Sequence, residues 1–287
     1  MGSTIAATEV DVLIVGAGVV GLTLAHALQK RGISCQIFER DESIDSGGNG
    51  WGITIHWAQH ALEKCIPEKK DPGSYKFFNL ETLERKFTDV IDPLTFQGCH
   101  PVLGVYMFWC LVSTPELNGS AGSPKPYYQA QVRDSWNPRK GEGDIPATSA
   151  GKVARIKELC ADMAAPIKKM VNSIPDSSEA IGVKLQDWPC LDWDNRGGRV
   201  TLAGDLAHAM TMYRGEAANF GIVDAADPAE AIAAFTKDGV PQAQAIEDYE
   251  LKLRTRSAKG VLNSRQACID AHDLTTLTPE SPLLCNR

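Results

Sequence analysis

Two periods organise the apolar positions of this chain. From Val10 to Val15 they form a run broken only by Asp11, then glycines intervene, and Val20, Leu24 and Leu28 recur on one helical stripe. This pattern predicts a buried strand, a helix over Val19 to Lys30 stopped by Gly32, and a second strand over Ile33 to Phe38. Further on, Gly104 to Ser113 reads as an apolar strand and Tyr127 to Trp136 alternates as a half-buried one, so the two pair across the Gly/Pro/Ser-rich connector Pro115 to Pro126. Ala150 to Val171 carries Val153, Ile156, Cys160, Met163, Ile167 and Met170 at helical spacing opposite a lysine-rich face, and Pro166 kinks this helix or splits it. Ala180 to Pro189 reads as a short strand and turn, and Gly198 to Ala203 as a strand returning to the first sheet. A helix from about Gly215 through Ala225 is expected to be interrupted at Asp227-Pro228 before Ala229 to Phe235, and a long polar helix from about Gln242 to Asp270 closes the chain.

Composition narrows what such a fold can do. With 287 residues, 43% of them apolar and 23% charged, the chain can bury a substantial core and has no need of disorder. A net charge of -7 argues against a nucleic-acid partner, which selects a basic face, so small molecules are the expected partners. Eight cysteines lie scattered without a C-x-x-C, and no secretory signal opens the chain, which reads as reduced thiols in a cytoplasmic protein. Val12 to Leu28 lacks charge and nears the shortest membrane span, yet its glycines and its change of period fit a nucleotide loop better, so no integral membrane span is expected. His56 and His60 stand four residues apart without a completing ligand set, so no metal is expected.

The chemistry starts at Gly16, Gly18 and Gly21, which follow the first strand at G-x-G-x-x-G spacing. Gly16 makes the tight turn, Gly18 lets backbone approach a pyrophosphate, and Gly21 lets helix and sheet pack closely. Glu39 ends the second strand about 20 residues on, where a carboxylate accepts hydrogen bonds from adenosine ribose hydroxyls, and Arg40 stands beside it. These residues alone indicate only a dinucleotide. Far downstream, Arg199 to Asn219 (RVTLAGDLAHAMTMYRGEAAN) reads as a strand, a Gly-Asp turn and a new helix start.

Together the two segments resemble the flavin-dependent aromatic hydroxylases, the salicylate and para-hydroxybenzoate hydroxylase superfamily, whose second signature is a Gly-Asp followed by an RGEGAN-like run. The segments Phe77 to Thr82, Tyr106 to Glu116 and Leu185 to Arg199 also look like family sequence in family order. The resemblance implies an α/β fold: a Rossmann-like, GR2-type FAD-binding domain over residues 1–86 and 186–287, with an inserted, shortened β-sheet substrate domain over 87–185. It implies FAD as cofactor and NAD(P)H as co-substrate, with O2 used to hydroxylate or epoxidise a small aromatic or polyketide-like secondary metabolite. Asp205 then bonds the ribityl chain, Ala218 touches the isoalloxazine edge, and the glycine-rich stretch with Gly52 and Ile53 either passes the flavin or is an ordinary loop. His208 reads as buried and structural, and Arg214 as capping or pairing locally. Tyr106, Trp109 and Tyr127 are equally candidates for pocket lining and for sheet core, and no side chain is singled out as catalytic. The family's central Asp-Gly motif is missing, Ala217 replaces a glycine, and Met212 stands where relatives have proline. These departures keep open a truncated relative without oxygenase activity, and Glu39 also permits an NAD-dependent dehydrogenase.

Overall fold

The computed structural model describes residues 9–43, 53, 55, 57–66, 95–113, 129–136 and 144–285, with only the backbone described at 95–97, 111–113 and 129–131. Two compact units emerge: residues 1–74 with 186–265, and 75–185 with 266–287.

The first unit opens with the expected βαβ. Strand β1 (Val12–Val15) and strand β2 (Cys35–Phe38) run parallel in the register Val12 to Cys35 through Val15 to Phe38, and helix α1 (Val19–Lys30) makes the crossover. Gly32 ends α1 at a φ of 67°, a left-handed conformation that glycine adopts without steric cost. The core beneath joins Ile14, Ala27, Leu28 and Ile33 to Cys65 of helix α2 (Gln59–Cys65). Ala226, Ala229 and Ile232 of helix α6 (Ala217–Lys237), with Ile246 of helix α7 (Gln242–His272), complete it.

Two expectations for this unit are corrected. Helix α6 does not stop at Asp227-Pro228 but runs through the proline without a break. An interior proline costs about 3 kcal/mol. Here Pro228 is buried with Ala225, Ala226 and Ala229, and Arg256 of α7 pairs with the side chains of both Asp224 and Asp227, so tertiary packing overrides the local penalty. The expected strand over Gly198 to Ala203 joins no sheet among the described residues. Its backbone is engaged elsewhere: the Arg199 and Val200 amides both donate to the Asn195 carbonyl at 2.9 and 3.0 Å, and the Tyr249 hydroxyl donates to the Leu202 carbonyl at 2.7 Å. On one face of the β1–β2 sheet, Leu13 and Val15 are 64% and 88% exposed.

The second unit holds a three-stranded antiparallel sheet of β3 (Thr95–Cys99), β4 (Tyr106–Ser113) and β5 (Gln129–Ser135), in the order β3-β4-β5. The β4–β5 pair is the one the alternation predicted, whereas β3 carried too short a pattern to be read. The helix over Ala150 to Val171 splits at the proline, into α3 (Ser149–Leu159) and α4 (Ala165–Asn172) with Pro166 in the first turn, where its missing N–H costs nothing. Thr148 caps α3 through its hydroxyl, which accepts the Gly151 amide. Val105, just before β4, and Met107 on it pack with Leu159, Ile167 and Val171 of the helices and with Cys160 and Met163 between them. Ala180 to Pro189 forms no strand; it is irregular, and Ile181 is left largely exposed.

Among the described residues no cysteine is joined to another by a disulfide. Among the described residues no helix is long and apolar enough to cross a membrane.

Candidate functional site

The glycine loop has the geometry its sequence implies. Gly16 holds a φ of 106°, and a β-carbon on Gly21 would lie 2.0 Å from the Gly16 carbonyl oxygen, so neither position accepts a side chain. A β-carbon on Gly18, by contrast, would meet no atom within 4 Å. That glycine faces open space in front of the first turn of α1, a helix with no side-chain cap and no acidic residue in that turn. Unpaired amides at a helix N-terminus behind a glycine cradle are the donor set a pyrophosphate needs, so the loop fits a dinucleotide.

Glu39 reaches back onto this loop. One carboxylate oxygen accepts the Ala17 amide at 2.6 Å, and the other accepts the amides of Arg40 and Asp41 at 2.6 and 3.0 Å. The Ala17 amide first, then those of Asp41 and Arg40, hold its carboxyl below the usual range, so it stays an anion that can accept further hydrogen bonds. Arg40 itself projects into solvent and pairs, among the described residues, with Asp41 at 3.4 Å.

The downstream signature meets the upstream one at the Val20 side chain. Val20, between Gly18 and Gly21, fills the space that β-carbons on Gly204 and Gly221 would need, 2.8 and 2.6 Å from its Cγ2. Gly204, at a φ of 64°, caps the short helix α5 (Asp205–His208), and Asp205 is the first, exposed residue of that helix. Protein around the Asp205 carboxyl pushes its pKa up, a shift that His208 opposes and Asp224 reinforces.

Beyond α5, a 3-10 turn over Met212–Arg214 and Gly215, at a φ of 61°, lead into α6. Arg214 pairs locally: its Nε and Nη2 donate to the two Glu216 oxygens at 2.8 and 3.2 Å, in a fork-on-fork geometry that uses up the one acidic group at the helix start. Ala217 and Ala218 open α6, half-buried, behind a position with no side-chain cap. Asn219 is fully buried and its oxygen accepts the Ala58 amide at 3.3 Å, while Trp57 packs edge-on against Phe220 at 4.9 Å. The segment before α2 thus lies against the start of α6. Gly52, His56 and Tyr127 fall outside the described residues.

Beneath these elements lies a polar cluster that sequence reasoning missed. Asp224, wholly buried, accepts the Gly204 amide at 3.0 Å, the His208 Nε2 hydrogen at 2.5 Å and the Arg256 guanidinium at 2.7 Å. Burial works to lower the Arg256 pKa, but its bonds to Asp224 and Asp227 outweigh that and raise it. His208 is fully buried and hydrogen-bonded, as expected. The one available signal was a lone acid, Asp224, on the apolar stripe of NFGIVDAA.

Comparison with known proteins fits this architecture. A family described as FAD dependent oxidoreductase matches residues 11–88. The FAD-dependent monooxygenase dbaB of Emericella nidulans is 32% identical over 80% of this chain and 88% of its own length, and tazP of Aspergillus terreus is 31% identical over 76% and 88%. The alignment with dbaB runs to 347 residues, longer than the 287-residue chain, so the relative holds residues without a counterpart here. Among solved structures, pqsL of Pseudomonas aeruginosa superposes with a TM-score of 0.63 at 13% identity, covering 94% of this chain and 98% of that one. The 2,6-dihydroxypyridine-3-hydroxylase of Arthrobacter nicotinovorans gives 0.59 at 12%, covering 98% and 97%. At such identities the likeness is one of fold, while the fungal relatives carry the assignment: this chain belongs to the FAD-dependent monooxygenases.

Proposed function

We propose that the protein uses NAD(P)H and O2 to hydroxylate or epoxidise a small aromatic or polyketide-like secondary metabolite. The observation that carries this reading is the meeting of the glycine loop, the Gly-Asp turn and the start of α6 around Val20, which gathers an anion cradle and two uncapped helix starts in one unit. Bound FAD supplies the redox and oxygen chemistry. The chain supplies position: the α1 amides and Gly18 hold the pyrophosphate, Glu39 accepts the ribose hydroxyls with Arg40 beside it, Asp205 accepts from the ribityl chain, and Ala218 with the first α6 amides faces the ring edge. Gly52 belongs to the same set. Residues 1–86 and 186–287 carry the cofactor and 87–185 the substrate.

A second reading, a family member without oxygenase turnover, draws on two observations: relatives hold residues this chain lacks, and the β1–β2 sheet is uncovered on one face. The absorbance spectrum of the purified protein, with released flavin identified, separates the two when followed by NAD(P)H oxidation assays with phenolic compounds. Stoichiometric FAD with substrate-stimulated oxidation supports the oxygenase. FAD retained without oxidation favours the second reading, and a colourless chain that FAD does not reconstitute removes the cofactor from both. Glu39→Ala and Asp205→Ala are each expected to weaken FAD retention without unfolding the chain, and unchanged affinity in both sinks the assignment of those two residues.

A further inference from the structure

We infer that Asp224 is a positioning residue for the flavin half of the cofactor, acting through Asp205; this rests on the FAD reading above. A single Asp224 oxygen, Oδ2, holds the Gly204 amide and the His208 ring, which lie one residue before Asp205 and three residues after it. The second oxygen is tied to Arg256, which also bonds Asp227 one helical turn along α6 at 2.8 Å. The carboxylate is therefore fixed from two helices and clamps both ends of the turn that presents Asp205. Val20 adds a third point of support, because it presses on the Cα side of Gly204. Asp205 is left with a rigid backbone and an exposed side chain, the arrangement that gives one hydrogen bond to a ligand its full value.

The cluster also sits apart from the adenosine end. Among the described residues none of its hydrogen bonds involves Gly16, Gly18, Glu39 or Arg40: the Gly16 amide donates to the Phe38 carbonyl of β2, the Gly18 carbonyl accepts the Leu22 amide of α1, and Glu39 accepts the amides of Ala17 and Arg40. Loss of the clamp should thus loosen what Asp205 holds and leave what the glycine loop holds.

The test is a pair of binding titrations on the full-length apoprotein, FAD by fluorescence and ADP by calorimetry, at a temperature where circular dichroism shows each variant folded. Asp224→Asn keeps an acceptor but loses the charge that orients Arg256. It is expected to weaken FAD by about tenfold, the worth of one charge-assisted hydrogen bond, with ADP affinity unchanged. Asp224→Asn added to Asp205→Ala should weaken FAD no further, because the clamp then has nothing to present. If Asp224→Asn does not fold, Arg256→Gln carries the same test with a smaller expected loss. Equal losses for FAD and ADP would show a general structural role and overturn the inference, as would unchanged FAD binding or additive losses in the double variant. A wild-type chain that binds ADP but not FAD overturns the Asp205 reading and this inference with it. Wild-type binding of both, with an unaltered FAD affinity in Asp224→Asn, overturns this inference alone.

Discussion

Asp224 and Asp134 both bury their carboxylate oxygens, and the two units solve the same problem in opposite ways. Asp224 is surrounded by an amide, an imidazole and a guanidinium, so its charge is compensated where it stands. Asp134 lies on β5 opposite Met107 of β4, and neither of its oxygens finds a hydrogen-bond partner of good geometry among the described residues. Burial pushes its pKa up to about 8, against the weaker pull of the Ser135 amide and the Arg155 guanidinium. The nearby Cys160 thiol is pushed up to about 12, by burial first and by Asp134 second. A buried acid is thus tolerated either by a network or by a proton. A network holds a carboxylate by its hydrogen bonds and ion pairs, and a proton does so only below the pKa.

The largest effect that would sharpen this contrast is expected for Asp224→Ala, which strands the Gly204 amide and leaves Arg256 to Asp227 alone. Denaturant unfolding should show a loss of about 3–5 kcal/mol, as for other broken buried ion pairs, and a loss under about 1 kcal/mol would mean the network holds nothing in place. Next comes pH. The Asp134 pKa lies above the roughly 3.9 of an unfolded aspartate, so the folded state binds the proton more tightly. Its contribution to stability is complete below the unfolded value and is lost as pH rises through about 8. Unfolding between pH 5 and 9 should reveal a decline on the order of a few kcal/mol, and Asp134→Asn should flatten it. The same slope in both proteins would place its origin elsewhere.

A smaller effect calibrates the satisfied region: Tyr249→Phe removes one neutral hydrogen bond, to the Leu202 carbonyl, and should cost about 1 kcal/mol by thermal unfolding. The smallest is expected where burial is lacking. Leu13→Thr and Val15→Thr should each change stability by less than about 0.5 kcal/mol, because both side chains are mostly in solvent. A cost above about 2 kcal/mol for either would show that this sheet face is covered in solution.

What could be read from the sequence was what is local. The βαβ unit was legible because a continuous apolar run, three glycines and a helical stripe lie within thirty residues of one another, and the structure returns α1 with the expected bounds. The tight turn at Gly16 and the close packing at Gly21 were legible for the same reason, since the two glycines meet a few residues apart. Pro228 misled because its penalty is local while its compensation comes from α1 and from Arg256, on other helices. Gly198 to Ala203 misled in the opposite way: the residues have strand character, but a strand needs a neighbour, and their backbone bonds go to Asn195 and Tyr249 instead. The partners of the clamp were invisible because Asp224 and Arg256 lie on separate helices, 32 residues apart, in segments whose patterns speak only of helix.

The wedge of Val20 between two glycines carries a consequence for how this protein can vary. Positions 20, 204 and 221 share one fixed volume, so side-chain size at any of them constrains the others. The exchange is unequal. Gly204 is pinned by its left-handed backbone, whereas Gly221 lies in an ordinary helix, so a methyl lost from position 20 can be regained only at 221. A library randomised at these three positions and selected for folding should therefore return residues 20 and 221 as an anticorrelated pair, with 204 invariant.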